Sequence, residues 1–416
     1  MELTSDERAI AGGARGEASA MAMRIVAETG RLLGADRLIP VHSAHIDGCL
    51  YHGDAGVLFA EKLVELGGQV AVPATLNVGA LDLLHPKRVR LDDRRRDMAL
   101  RLMRAYEALG CKPTWTCSPY QAGHRPPAGV DVAWGESNAV AFCNSVLGAR
   151  TNRYGDFLDI ACAIVGRAPR YGLHLPEHRR ATMLVDTSLL SAALRNLDAF
   201  WPVLGAWIGR NAGSSIVAID GLQTFASEDR MKALGAAAAS FGAVGLFHVI
   251  GVTPEAKTRA DAFSGHDPEV TVQLTSEMVR IARGWLSTSS SDQVDAVAVG
   301  SPHLSFEEMM TIADLVDGRR LSLPFYAHTG RHVLKQLEER GKLADIEAAG
   351  VTVVVDTCIV VTPILPAKSG VLLTNSGKFA NYAPGNTGWS VVYGSLSECV
   401  ETAVQGRLVR DEALWS

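Results

Sequence analysis

The chain has 416 residues, of which 47% are hydrophobic and 20% charged, with a formal net charge of −5. That length exceeds one ordinary core, so two or three domains are expected in a globular protein. The mild acidity gives no electrostatic case for nucleic acid, and no apolar run approaches the roughly 20 residues that cross a bilayer.

The N-terminal MELTSDERAIAGG is charged and has no apolar signal core, which points to the cytoplasm. There, the seven scattered cysteines are expected as free thiols, most of them small buried hydrophobes. Thr4 and Glu7 fit a capping box ahead of an Ala/Met-rich helix whose first half Gly12, Gly13 and Gly16 weaken. RLIPVHSAHIDG reads as strand and loop, AGVLFAEKLVELG as amphipathic helix, and QVAVPATLNVG as a short strand running into a polar turn. DDRRRDMALRLMRAYEALG is a helix with Asp92 and Asp93 at its N-terminal end, where the macrodipole favours them. KPTWTCSPY reads as a strand ending at Cys117, and FLDIACAIVG as an apolar helix face holding Cys162. Further strands are expected in ATMLVD, SSIVAID, AVGLFHVIG, VDAVAVG, LPFYAH and VTVVVD, with helices between most of them.

Apolar strands alternating with helices predict an α/β fold with mostly parallel sheets covered on both faces. No linker or low-complexity tract marks the domains. The expected regions are 1–120, 121–285 and 286–416. In such sheets sites collect beyond the carboxyl ends of strands. Four apolar runs stop in chemically active residues: Ser43-Ala44-His45, Cys117, Ser301-Pro302-His303 and Asp356-Thr357-Cys358. The polar motifs suit an anionic substrate. GESNAV offers Glu136, Ser137 and Asn138; GARTNR offers Arg150 and Thr151; VPATLN offers Thr75 and Asn77; TNSGK offers Ser376 and Lys378.

The stretches SAHIDG, VPATLN, TCSPY, GESNAVAFCNSVLGARTNR, GSPHLS, DTC and TNSGKFANYAPG, in this order, resemble the large subunit of aconitase X. The match runs from about residue 40 to 390. The resemblance implies an aconitase-like fold of three α/β domains around a metal site, and a hydro-lyase that dehydrates a β-hydroxy acid. The swivelling domain of that superfamily is expected in a small partner subunit, which would supply the serine base. Bacterial members dehydrate cis-3-hydroxy-L-proline to Δ1-pyrroline-2-carboxylate; archaeal members dehydrate mevalonate 5-phosphate. The first is the expected substrate, the second the alternative, and a non-catalytic binding subunit the alternative of another class.

The resemblance also implies iron, expected as an iron–sulfur cluster held by thiolates. The family pattern places cysteines where this chain has Cys117, Ser301 and Cys358. Cys143 stands where alanine is usual, so Cys117, Cys143 and Cys358 are the expected ligands. Ser301 would then lie beside the centre, and Ser301 as an alkoxide ligand is the alternative. Lys378, Ser376 and His45 are the expected catalytic groups. Ser43, Thr75, Asn77, Glu136, Ser137, Asn138, Arg150, Thr151, Ser301 and His303 are the expected substrate contacts.

Overall fold

The computed structural model describes residues 1–415, which form two compact units. The first comprises 1–81 and 90–180, the second 82–89 and 181 onward.

In the first unit the capping box closes as expected. The Thr4 hydroxyl accepts from Glu7 N, and the Glu7 carboxylate accepts from Thr4 N. The glycine-rich stretch then splits the run into two helices, Ser5–Ala11 and Glu17–Leu32. Strands are short: β1 Leu38–Pro40, β2 Ala44–Ile46, β3 Ala74–Leu76, β4 Ala133–Trp134 and β5 Arg167–Pro169. β1 and β5 pair antiparallel. β3, β2 and β4 form a parallel sheet in that order. The helix Asp93–Ala108 starts at Asp92, whose side chain accepts from Arg95 N.

The segment expected as a strand before Cys117 is not one. It runs beside β3 with single bonds, Leu76 N to Lys112 O at 3.2 Å and Thr116 N to Leu76 O at 3.3 Å. Pro113 offers no backbone donor, and Trp115 at φ 44 leaves the extended region, so no ladder propagates.

In the second unit, β6 Met183–Asp186, β7 Val217–Asp220, β8 Phe247–Val249 and β9 Val270–Gln273 form a parallel sheet in the order β8-β7-β6-β9. β10 Ala296–Leu304, β11 Phe325–Thr329, β12 Val351–Val354, β13 Val371–Thr374 and β14 Ser390–Tyr393 form a second, in the order β12-β11-β10-β13-β14. Every pairing in both is parallel. Val297, Val299, Phe325, Ala327, Val351 and Val353 are buried in one apolar cluster. Burying each large side chain among them contributes about 1.5–3 kcal/mol, which is why these strands read as unbroken apolar runs. The architecture is α/β.

β10 does not stop at Gly300. It continues to Leu304, with a register shift against β11 between Val299 and Leu304. Gly300 has φ 95, and a Cβ there would lie 2.8 Å from the His328 backbone nitrogen, so only glycine fits. Ser301 and His303 therefore sit on a bulge inside the sheet rather than on a loop after it.

Candidate active site

The first unit brings together Ser43, His45 and Thr75 on β2, β3 and their flanks. His45 pairs in register with Thr75 on one side and Trp134 on the other. Its Nδ1 lies 2.8 Å from Thr75 Oγ1. The same hydroxyl lies 2.7 Å from His124 Nδ1, whose Nε2 is 2.8 Å from Ser43 Oγ. Burial, with His124 nearby, holds the His45 pKa well below its usual value. Burial, helped by His42 and Lys112, lowers His124 to about 4. Both rings are neutral at pH 7. His124 was invisible in the sequence, because it lies in a loop with no neighbouring motif.

Asn77 donates its amide to the Asp47 carboxylate. Asp47 N donates in turn to Asp159 Oδ2 at 2.6 Å. Asp159 is fully buried, and burial raises its pKa to about 8, with Asp47 adding charge repulsion. Gly135 is required beside it, since a Cβ there would lie 2.6 Å from Asp159 Oδ2.

GESNAV is joined to the Cys117 loop. Asn138 Nδ2 donates to Cys117 O at 3.0 Å and to Tyr120 Oη at 3.2 Å, and Tyr120 stacks on Phe142 at 3.6 Å. Glu136 caps the helix Ser137–Phe142, its carboxylate accepting from Ala139 N at 2.6 Å, and Ser137 Oγ donates to it at 3.3 Å. Thr151 is buried, and its hydroxyl accepts from Trp134 N at 3.1 Å. Arg150 is half-buried, with a buried Nε that has no partner.

The second unit gathers Ser301, Ser376 and Lys378 around one pocket, with Asn375, Lys232 and Glu308 among its walls. Ser376 caps the helix Gly377–Thr387, accepting from Phe379 N at 3.0 Å, and its hydroxyl donates to the Ser301 carbonyl. Lys378 stands in the first turn of that helix. His303 Nε2 donates to Thr357 O at 3.0 Å, which ties the bulge of β10 to the Cys358 loop. Burial lowers the His303 pKa to about 3.

Lys232 is a second residue that sequence reasoning missed. It is 2% exposed, and its ammonium donates to Asp229 at 2.8 Å, to Glu308, and to His303 O at 3.3 Å. Burial by itself disfavours that ammonium, but Glu308 and Asp229 more than offset it and raise its pKa. Asp229 and Lys232 stand three residues apart, a spacing that by itself fits an exposed pair on a helix.

The expected thiol ligands occupy different settings. Cys117 and Cys358 lie in buried, non-helical loops, the latter after Asp356 at φ 64. Asp356 accepts from Arg331 twice at 2.6 Å and from Leu83 N at 3.2 Å, so the loop is pinned. Cys143 instead follows the helix Ser137–Phe142 and is fully buried in an apolar cluster with Tyr120, Val132, Trp134 and Phe142. Burial pushes its thiol pKa up, which opposes the thiolate a metal needs. Cys117 and Cys358 are thus loop thiols, and Cys143 packs in an apolar cluster. Among the described residues no group of three His, Cys, Asp or Glu side chains is arranged to hold a metal ion. No helix among the described residues is long and apolar enough to cross a membrane.

Models of the first, second and third domains of aconitase X match residues 1–177, 181–283 and 294–405. The chain is 43% identical over 410 residues to cis-3-hydroxy-L-proline dehydratase of Pseudomonas aeruginosa, covering 97% of this chain and 70% of that one. It is 36% identical over 413 residues to the phosphomevalonate dehydratase large subunit of Methanosarcina mazei, covering 98% of each. The structure of Thermococcus kodakaraensis aconitase X in its holo-form superposes with a TM-score of 0.85 at 33% identity, over 97% of this chain and 100% of that one.

Proposed function

We propose, on the premise that this chain belongs to the aconitase X family, that it is the large subunit of a hydro-lyase acting on cis-3-hydroxy-L-proline. The observation that carries the substrate choice is the 43% identity to a dehydratase of that name, against 36% to a phosphomevalonate dehydratase large subunit. Mevalonate 5-phosphate is the second reading. It is favoured by coverage, since the chain spans 98% of that large subunit. The name of that relative also supports a small partner subunit. We assign that partner the swivelling domain and the serine base.

The reaction removes the Cα proton and the β-hydroxyl as water. The enamine that forms then tautomerises to Δ1-pyrroline-2-carboxylate. Lys378 lines the same pocket as Ser301 and Asn375. There it binds the substrate carboxylate and steadies the negative charge that builds as the proton leaves. Ser376 keeps this geometry by joining the helix cap to the Ser301 carbonyl. Asn138 holds the Cys117 loop in place. The iron ligands we carry forward are Cys117 and Cys358. Iron held by those thiolates would supply a Lewis acid for the departing hydroxyl.

The test is co-expression of this chain with a small subunit, followed by assay on both substrates. Turnover of cis-3-hydroxy-L-proline with release of Δ1-pyrroline-2-carboxylate is expected. Turnover of mevalonate 5-phosphate alone would establish the second reading, and full activity without the small subunit would refute the partner.

A further inference from the structure

Four polar side chains of the first unit form one unbranched hydrogen-bond chain, in the order Ser43, His124, Thr75, His45. His45 is fully buried, and its Nε2 has no partner. A neutral imidazole has one donor and one acceptor nitrogen, and a hydroxyl has one proton. Those rules leave two ways to run the chain in one direction, and a third in which Thr75 accepts from both rings and so leaves its own proton and His45 Nε2 as two orphans. In one direction, Ser43 donates to His124 Nε2, His124 Nδ1–H to Thr75, and Thr75 to His45 Nδ1, so His45 ends with its proton on Nε2. In the other, every bond reverses. His45 Nε2 is then bare, and the Ser43 proton, itself buried at 2% exposure, has no acceptor in the chain. The first arrangement leaves one orphan and the second leaves two. Buried orphans cost free energy, so the first prevails.

We propose that Ser43, His124 and Thr75 lock His45 as the Nε2–H tautomer, making it a neutral donor to an acceptor oxygen of the substrate. His124 is a positioning residue that acts through Thr75. The lock needs both rings neutral, because a protonated ring would present two donors and break the chain. Burial meets that need at His45 and His124. In a small β-hydroxy acid the acceptor is a carboxylate oxygen or the hydroxyl oxygen that leaves. That last assignment rests on the dehydratase reading above; the tautomer itself does not.

Histidine-ring 15N spectra of the full chain test the lock, with His45 assigned by the signal lost in His45→Gln. In the wild type, His45 is expected wholly as Nε2–H. Thr75→Val and His124→Phe should turn it into a mixture of tautomers. With the small subunit present, both should lower kcat about tenfold or more while KM moves less. Thr75→Ser keeps the hydroxyl and should restore both the tautomer and the rate. Nδ1–H in the wild type, or a His45 tautomer unmoved by His124→Phe, would overturn the proposal, and the wild-type spectrum stands even if a variant fails to fold. The expected tautomer without any turnover would instead support the lock and overturn the substrate reading.

Discussion

In the first unit, Ser43, His124, Thr75 and His45 are joined through neutral groups, and one nitrogen is left unpartnered. In the second, Lys232 is also buried but ionised, and carboxylates and a carbonyl accept its hydrogen bonds. A neutral chain leaves its end nitrogen free to meet a ligand, so it can serve chemistry. A buried ion pair cannot lose one member without stranding the other, so it serves as a frame. The frame here holds the His303 carbonyl and the helix Phe306–Val316, where Ser305 and Glu308 close a capping box. It therefore braces the bulge that carries Ser301.

The comparison breaks most visibly at Lys232. Lys232→Met strands Asp229 and Glu308, and chemical denaturation should show a loss of about 3–5 kcal/mol. Lys378→Ala removes a substrate contact rather than a frame member. It should lower kcat/KM by about 10- to 150-fold, equivalent to about 1.5–3 kcal/mol, at unchanged stability by denaturation. Ser376→Ala loses a helix cap and the tie to Ser301, so a stability loss of about 1–2 kcal/mol is expected in the same measurement.

The acidic group of the first unit sharpens the contrast by titration. Asp159 has its folded pKa raised from 3.8 to about 8. Between those values the folded state holds a proton that the unfolded state has released. Stability should therefore fall as pH rises from about 4 to about 8, by at most about 1.4 kcal/mol per pH unit. Asp159→Asn should flatten that slope, and a slope identical to wild type would contradict the assignment. Cys143→Ala is the mildest change. It should cost about 1 kcal/mol and leave iron per chain unchanged, whereas Cys117→Ala and Cys358→Ala should each lose iron. Loss of iron in Cys143→Ala would return that thiol to the ligand set.

Local signals were legible where local chemistry decides structure. The Thr4 capping box, the glycines at 12, 13 and 16, and Asp92 at its helix start each acted as their residue types require. The apolar runs that became β6, β7, β10, β11 and β12 were legible because strands buried on both faces need no alternation. The short pairings of β4, β5, β9, β13 and β14 were not, since partners distant in the chain fix them. Ser301, Ser376 and Lys378 were singled out by motif and do share a pocket. His124 and Lys232 escaped because nothing beside them in the chain marks them. The first is defined by Ser43 and Thr75, the second by Glu308 and the His303 carbonyl. The boundary between the units at Arg180 and Ala181 likewise carries no glycine- or serine-rich linker.

The bulge in β10 restricts how this site can change. Val299 pairs with Ala327 and Leu304 with Thr329, so five steps along one strand are matched by two along its neighbour. The surplus residues are the ones that hold Ser301 and His303. In a surface loop, removing one residue shortens a tether and little else. Here the ladder resumes at once, where Thr329 Oγ1 donates to Leu304 O at 2.7 Å. A deletion must therefore either abolish that bond or displace the start of the helix Phe306–Val316, which Ser305 caps directly after Leu304. Variation at this site is thus confined to exchanging side chains at fixed length.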